Sequence, residues 1–138
     1  MHNPFSLRKM GYTHYWRKKA DLPQEKWNAF LKSITPIVKE GEEEVLCFEY
    51  DQPDVKPKLG EDLVQFNGRD EDGHETFYFD RKEQDGTPDE HGFYFNCCKT
   101  ARKPYDYYVV EVLKLAKKHF GGLIKLSSDG GVFDESDD

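Results

Sequence analysis

Two segments with a helical spacing of apolar residues bracket a series of short alternating runs, and this order limits the fold more than any other feature. The first segment follows a helix-start pattern at Asp21 and is expected to end at Gly41. The second covers residues 101–120 and stops before a pair of glycines. Both carry an apolar stripe, made of Trp27, Phe30, Leu31, Ile34 and Val38 in the first and of Tyr105, Tyr108, Val109, Val112, Leu113, Ala116 and Phe120 in the second.

Four strand-like runs lie between these helices, at residues 45–50, 63–67, 74–80 and 92–98, and two more lie at 11–16 and 123–127. The order β-α-β-β-β-β-α-β predicts an α+β fold, with a mostly antiparallel sheet of about five to six strands and both helices on one face. We expect a flexible extension at 1–9, a single domain at 10–131 and a disordered acidic tail at 132–138.

Composition supports one folded domain. Apolar residues make up only 36% of the 138 residues, but ten Phe, eight Tyr and two Trp supply large buried areas. No apolar run approaches a membrane span and no signal peptide opens the chain, so we expect a cytoplasmic protein without membrane contact. Cys47, Cys97 and Cys98 are expected to be reduced thiols. Because no CxxC or HxxxH spacing occurs, we expect neither a metal site nor a cofactor.

Charge is distributed in blocks along the chain. Residues 1–39 carry a net charge of +6, residues 40–72 carry −9 and residues 73–96 carry −4. Residues 97–133 carry +4 and the last five residues −4, which gives −7 overall. A bipolar chain can still bind an anion, because the local potential decides binding. We expect no duplex-DNA partner, since the chain lacks both a helix-turn-helix pattern and a basic stripe.

Strand parity divides the predicted sheet into two faces. The apolar face, which is expected to lie under the helices, carries Leu46, Phe48, Tyr50, Val64, Phe66, Phe77, Phe79, Phe93, Phe95 and Cys97. The opposite face carries Gln65, Asn67, His74, Thr76, Tyr78, Tyr94, Asn96 and Cys98. Lys and Glu are the usual occupants of a solvated face, so these carboxamides, hydroxyls and imidazole predict a site for a polar ligand. An ordinary solvated face is the alternative.

Three further segments add candidate ligand residues. The segment 98–106 leads into the second helix, where Thr100 or Lys103 is a candidate N-cap. Free backbone N–H groups there, with Lys99 and Arg102, predict an anion pocket, and plain capping is the alternative. Aromatic and hydroxyl groups at the sheet's ends either contact a ligand or serve packing and turns, namely Tyr12, His14, Trp16, Ser127 and Ser128.

A thiol-based catalytic arrangement is a further alternative. Cys98 with His14 or His74 as base and Asp129 as orienting group has the residue types that a cysteine nucleophile needs. A nearby lysine and helix start predict a lowered pKa for this thiol. No known nucleophile signature surrounds it, so we expect a binding protein rather than an enzyme.

A resemblance to a family of small proteins encoded by bacteria and bacteriophages is carried by Gly11-Tyr-Thr-His-Tyr-Trp16, Phe66-Asn-Gly68, His74-Glu-Thr-Phe77 and Cys98-Lys-Thr-Ala-Arg-Lys-Pro-Tyr-Asp106. The resemblance covers Met10 to Gly130, and such proteins tend to begin at the position of Met10. It implies no particular activity and transfers no site residue. A bacteriophage origin implies an accessory role against host defences, such as sequestering nucleotide signals.

The main hypothesis is therefore a binding module for a small anionic ligand that resembles a nucleotide. An acidic protein-interaction module or nucleic-acid mimic is the alternative, and a cysteine-dependent hydrolase or transferase is the second. A homodimer and a host-protein partner also stay open. The expected ligand residues are Tyr12, His14, Trp16, Asn67, His74, Thr76, Tyr94, Asn96, Lys99, Thr100, Arg102, Tyr105, Ser127 and Ser128.

Overall fold

The computed structural model describes residues 12–83 and 85–133. These residues form two helices, α1 (Gln24–Glu44) and α2 (Asp106–Phe120). They also form seven strands, β1 (Thr13–Lys19), β2 (Leu46–Cys47), β3 (Lys58–Leu59), β4 (Leu63–Gly68), β5 (Phe77–Asp80), β6 (Phe93–Lys99) and β7 (Ile124–Ser128). Every pair of these strands is antiparallel, which confirms the predicted α+β class. The extension predicted at 1–9 lies outside the described residues.

Helix α1 is longer than the sequence predicts, because it continues through Gly41 to Glu44. Gly41 is buried, and a side chain there would collide with Leu46, which follows the helix. Its missing Cβ therefore allows the chain to fold back closely against the last turn. Arg69 then caps this end, since its Nη1 donates to the carbonyl of Glu42 at 3.0 Å and to that of Leu46 at 2.7 Å.

The strands divide between two sheets rather than forming the single sheet predicted. The first sheet has the order β6-β1-β7, and in the second β4 pairs with β2, β3 and β5. The sheets meet where the backbone N–H of Glu75 donates to the carbonyl of Lys99 at 3.2 Å, and where Asp21 and Lys82 form an isolated bridge. Although β5 and β6 follow each other in the chain, they do not pair: β5 pairs with β4, and β6 pairs with β1.

Both helices cover one aromatic core. The ring of Phe79 on β5 stacks on Trp27 of α1, with centroids 5.9 Å apart and planes 8° apart. The same ring stacks on Phe120 of α2 at 6.3 Å. Both helices therefore lie on the same face of β5, as the sequence predicts. The apolar stripes are buried in this core, where each large side chain contributes about 1.5–3 kcal/mol.

Strand β6 turns the opposite face to the core from the one predicted. Cys98 is buried, whereas Phe95 is exposed. The reason is the register with β1, which places His14 opposite Cys98 and Trp16 opposite Asn96. Cross-strand partners point to the same face of a sheet. The even-numbered side chains of β6 therefore lie on the same inner face as the buried side chains of β1.

The ordered chain extends past the predicted boundary at 131. Phe133 is fully buried, and its ring packs edge-on against that of His14 with centroids 5.6 Å apart. The tail predicted at 132–138 therefore begins too early, and residues 134–138 lie outside the described part of the chain.

Candidate functional site

Strand β1 presents different chemistry on its two faces. The even-numbered side chains His14, Trp16 and Lys18 are buried in the core. The odd-numbered side chains Tyr15 and Arg17 point away from it. Because β1 is the central strand of its sheet, these outward side chains are flanked by β6 on one side and β7 on the other. The first sheet thus has one outer face formed by three strands.

The register of the three strands arranges this outer face in rows. Arg17 lies opposite Phe95 of β6 and Lys125 of β7, and Tyr15 lies opposite Cys97 and Ser127. A groove of about 400 Å³ crosses the rows, and its lining includes Tyr15, Arg17, Phe95, Lys125 and Ser127. We call this surface, defined by Tyr15, Arg17, Lys19, Phe93, Phe95, Lys125 and Ser127, the cationic face.

Two aromatic rings are available in the middle of the cationic face. Phe95 is 54% exposed, which is unusual for an apolar ring of this size. Tyr15 lies beside it, with ring centroids 5.9 Å apart and planes tilted by 35°. The hydroxyl of Tyr15 donates to Oδ1 of Asp129 at 2.9 Å, and this hydrogen bond raises the pKa of the phenol. The fixed tyrosine and the open phenylalanine together offer a surface on which a planar ring can stack.

Positive charges surround these rings. The guanidinium carbon of Arg17 lies 5.5 Å from the centroid of Phe95. The ammonium groups of Lys19 and Lys125 lie 4.6 Å and 4.7 Å from the centroid of Phe93, which they cover. Besides Asp129, which binds Tyr15, the carboxylate of Asp89 lies close to these cations, since its Oδ2 lies 3.7 Å from Nη1 of Arg17. The face therefore combines stacking surface with an excess of cations, although the whole chain is acidic.

An acidic groove lies on the other side of Phe95. It has a volume of about 430 Å³ and is lined by Asp80, Glu83, Asp85, Gly86, Phe95 and Asn96. Glu83 is the member with a cationic partner, because its Oε2 lies 2.8 Å from Nζ of the buried Lys18. Burial raises the pKa of Asp80, and the nearby Lys18 opposes this rise. Phe95 thus separates a basic groove from an acidic one, so an anion bound near this ring is directed toward Arg17 and Lys125.

Several residues predicted to bind a ligand are buried instead and support the fold. Asn67 is fully buried and binds the loop before β5, because its Nδ2 donates to the carbonyl of His74 and to Oγ1 of Thr76, both at 3.0 Å. Trp16 packs on Phe77 of β5 with ring centroids 5.3 Å apart. The other buried members of the predicted set are Tyr12, His14, Thr100 and Tyr105.

The predicted catalytic group is buried as well and is connected differently. Nε2 of His14 bonds Oδ1 of Asp106 at 2.6 Å, whereas Asp129 binds Tyr15 instead. Burial raises the pKa of Cys98 to about 12, and the hydrogen bond with Tyr105 opposes this rise. The prediction of a lowered thiol pKa is therefore wrong. The other proposed base, His74, is exposed, and its backbone N–H donates to Asn67.

The start of α2 also differs from the predicted anion pocket. The helix begins at Asp106, after Tyr105, so neither Thr100 nor Lys103 is its N-cap. Thr100 instead donates its hydroxyl proton to the Asp106 carboxylate, which fills the first turn. Two backbone N–H groups of the first turn have partners as well, since that of Asp106 donates to the carbonyl of Lys103 and that of Tyr108 to the carbonyl of Tyr105.

Arg102 lies outside this helix start and has another contact. Its guanidinium carbon lies 3.8 Å from the centroid of the Tyr12 ring. Ala101 and Arg102 both have left-handed backbone conformations, with φ of 53° and 59°. The predicted residues that remain at least partly accessible are His74, Thr76, Tyr94, Asn96, Lys99, Arg102, Ser127 and Ser128. Of these, Ser127 lines the groove on the cationic face and Asn96 lines the acidic one.

Sequence reasoning missed Tyr15, Arg17, Phe95 and Lys125, which form the centre of the cationic face. A signal was present in the alternation of β1, where an aromatic residue and two cations occupy positions 15, 17 and 19. That alternation indicates an exposed face only if the side chains of His14, Trp16 and Lys18 belong to the core. A buried lysine is rare, so the sequence alone gave little reason for that assignment.

Other surfaces offer less. A third cleft, of about 430 Å³, lies between the end of α1 and residues 53–56, but its arginine, Arg69, already caps the helix. Within residues 12–83 and 85–133, no three His, Cys, Asp or Glu side chains converge as a metal site requires. No helix in those two ranges is both long and apolar enough to cross a membrane.

Comparison of the chain with protein-family models, with curated proteins and with solved structures gives no match.

Proposed function

We propose that this protein is a binding module for an anionic ligand that carries a planar ring, as a nucleotide does, and that the cationic face is its site. The observation that supports this most directly is the row Phe95, Arg17 and Lys125. It places an open aromatic ring beside two cations across neighbouring strands. A nucleotide needs both contacts, since its base stacks on aromatic rings and its phosphate binds cations.

Titration with AMP, UMP and inorganic phosphate tests this proposal, with amide chemical shifts as the readout. We expect both nucleotides to shift amides of β1, β6 and β7, because the aromatic ring current and the phosphate act on these strands. Phosphate alone is expected to bind more weakly, since it gains no stacking. Nucleotide shifts that fall mainly outside these strands, or no shifts at all, overturn the proposal.

Four variants separate stacking from charge. Phe95→Leu removes the ring and is expected to cost about 1–3 kcal/mol of nucleotide binding. Arg17→Gln removes a charged donor and is expected to cost a similar amount. Tyr50→Leu and Lys114→Gln are matched controls, because they remove an exposed ring and an exposed cation outside the cationic face. Equal losses in the controls contradict this assignment of the site.

The other expectations from the sequence remain predictions. These are the homodimer, the host-protein partner, the cytoplasmic location and the accessory role that the family resemblance implies. The acidic interaction module remains open in the same sense. The cysteine-dependent enzyme has lost its main support, since the thiol of Cys98 is buried and its pKa is raised.

A further inference from the structure

The cationic face is longer than one nucleotide requires. Strand β1 spans Thr13–Lys19, and its outward side chains cover about 20 Å at a rise of about 3.4 Å per residue. Sites for small molecules are usually concave and enclose most of the ligand. Phe95, in contrast, remains 54% exposed in the middle of this face. Such a surface gains affinity from a ligand that extends along it.

Cations occupy both ends of the face, with the rings between them. Lys19 and Lys125 both lie near the Phe93 ring at one end. At the other end, just beyond the defined face, Lys99 lies opposite Thr13, and the carboxylates of Asp129 and Glu75 accept hydrogen bonds from the backbone N–H groups of Thr13 and Lys99. Lys99 lies opposite Thr13 and Lys125 lies opposite Arg17, so the two lysines are four residues of β1 apart, or about 14 Å along the strand direction. A mononucleotide carries its charge in one place, so it can reach only one of these ends. A chain of nucleotides can reach both.

The two ammonium groups at Phe93 add a separate argument for an anion there. Each lies within 4.7 Å of the Phe93 ring centroid, and Nζ of Lys19 also donates to the carbonyl of His91 at 2.5 Å. A phosphate group near this ring can accept charge-assisted hydrogen bonds from lysines on two different strands. Phe95 lies two residues farther along β6 on the same face, so a stacking position is adjacent to this phosphate position.

The acidic groove disfavours one of the paths that a phosphate backbone could take across the cationic face. Asp80 and Asp85 line it on the far side of Phe95, where they repel phosphates. A bound backbone is therefore expected to run on the side of Phe95 that faces β1 and β7, past Arg17 and Lys125. Two carboxylates lie at the Tyr15 end, and both already accept hydrogen bonds: Asp129 from the Tyr15 hydroxyl and the Thr13 backbone, and Glu75 from the Lys99 backbone.

From this arrangement we infer that the cationic face binds a single-stranded nucleic acid, an inference that rests on the proposed function. Two bases stack on Phe95 and Tyr15, and phosphates bind at the Lys19–Lys125 end and at the Lys99 end. A duplex does not fit this role, because its bases stack on each other and leave no ring free for Phe95.

Fluorescence anisotropy with labelled oligonucleotides of mixed sequence and about 12 nucleotides tests the inference. Single-stranded DNA and RNA are compared with a duplex of equal length and with AMP as competitor, at about 50 to 200 mM salt. We expect the single strand to bind at least about tenfold more tightly than the duplex or AMP. Phe95→Leu is expected to weaken single-strand binding about 5- to 150-fold.

The salt dependence of Lys99→Gln and Lys125→Gln separates a chain of nucleotides from a single one. For single strands, each phosphate contact contributes about 0.7 to the slope of log K against log salt. If one strand spans the face, each variant lowers the slope by about 0.7, whereas Lys114→Gln leaves it unchanged. Near-UV circular dichroism checks that each variant keeps its fold.

The outcomes distinguish this inference from the proposed function. If AMP binds as tightly as the single strand, and only one of the two lysine variants changes binding, the proposed function stands and the inference is wrong. If the duplex binds as tightly as the single strand, the inference is also wrong. If neither AMP nor any oligonucleotide binds, both fail.

Discussion

His14 and Asp106 are 92 residues apart in the chain, yet Nε2 of His14 lies 2.6 Å from Oδ1 of Asp106 inside the protein. The hydroxyl of Thr100 donates to the same carboxylate oxygen. His14 belongs to the central strand β1, and Asp106 begins α2. This contact therefore fixes the first turn of the second helix against the middle of the first sheet.

The Asp106 carboxylate is expected to make stability depend on pH. Burial acts to raise its pKa, but hydrogen bonds from His14 and Thr100 outweigh this effect and lower the pKa. A carboxyl group whose pKa is lower in the folded state stabilises the fold above the unfolded value of about 4, and this stabilisation is lost as the pH falls further. Asp106→Asn is expected to lower the free energy of unfolding at pH 7 by about 1–3 kcal/mol and to reduce its loss in acid. Urea unfolding at neutral and acidic pH, with Asp54→Asn as an exposed control, measures both effects. An unchanged acid profile in Asp106→Asn contradicts this account.

Removing one partner of the buried ion pair of Lys18 and Glu83 is expected to lower the free energy of unfolding strongly, whereas replacing both by uncharged residues is expected to lower it much less. Lys18 is fully buried and Glu83 is nearly so. Removing one partner leaves an uncompensated charge, so Glu83→Gln should lower the free energy of unfolding by about 3–5 kcal/mol. The double variant Lys18→Met/Glu83→Gln should regain most of that loss. Chemical denaturation of the single and double variants gives the comparison, and a double variant no more stable than Glu83→Gln argues against it.

The same lysine predicts a trend at alkaline pH. Burial lowers the pKa of Lys18, and the contact with Glu83 opposes this effect. Because the unfolded chain then holds the proton more tightly, the contribution of Lys18 to the unfolding free energy rises as the pH approaches the unfolded value of about 10.4. Wild-type protein should therefore gain stability relative to the double variant between neutral and alkaline pH. Parallel denaturation curves at both pH values test this, and a constant difference refutes it.

Of the three thiols, one should react with an alkylating agent in the native protein and two should not. Cys97 is exposed, whereas Cys47 and Cys98 are buried. Burial also raises the pKa of Cys98 to about 12, which removes its reactive thiolate at neutral pH. Iodoacetamide should therefore modify Cys97 in the native protein and the other two only after unfolding. Peptide mass spectrometry of native and denatured samples shows the sites, and labelling of native Cys98 at the rate of Cys97 would restore the case for cysteine chemistry.

Substitution of two alanines by glycine is expected to change the free energy of unfolding in opposite directions, because only the alanine before α2 has a strained backbone. Ala101 has φ of 53°, a conformation that costs an ordinary residue about 1–2 kcal/mol and glycine almost nothing. Ala101→Gly is expected to raise the free energy of unfolding by about 0.5–1 kcal/mol. Ala29 lies exposed within α1, so Ala29→Gly is expected to lower it by a similar amount. Thermal unfolding of both variants is sufficient, and a loss of stability in both contradicts the assignment of strain.

The helices and the fold class could be predicted from local patterns, because apolar spacing and turn residues act over short distances. Parity worked for β5, where Phe77 and Phe79 are buried and Tyr78 is exposed. It failed for β6, whose sequence offers aromatic rings on both faces. There the pairing of β6 with β1 decided the orientation, and no local signal reveals a partner some 80 residues away.

The candidate site depends on that same long-range register. The apolar ring of Phe95 predicts a core position, but the pairing of Cys98 with the buried His14 turns the other face of β6 inward. Some polar residues that the pattern predicts to bind a ligand instead bond groups in the interior, as Asn67 does for the loop before β5. Hydrogen bonds between distant segments, which sequence patterns do not encode, account for these errors.

The central place of β1 in the first sheet has a consequence for synthesis of the chain. A ribosome makes β1 before either neighbour, and the residues that pair with Tyr15 are Cys97 and Ser127. Strand β1 therefore stays unpaired while most of the domain is translated. During that time Trp16, which is buried in the folded protein, is exposed. Long delays of this kind slow folding and leave nascent strands open to wrong partners. Chaperone contact during translation is expected to concentrate on this first strand.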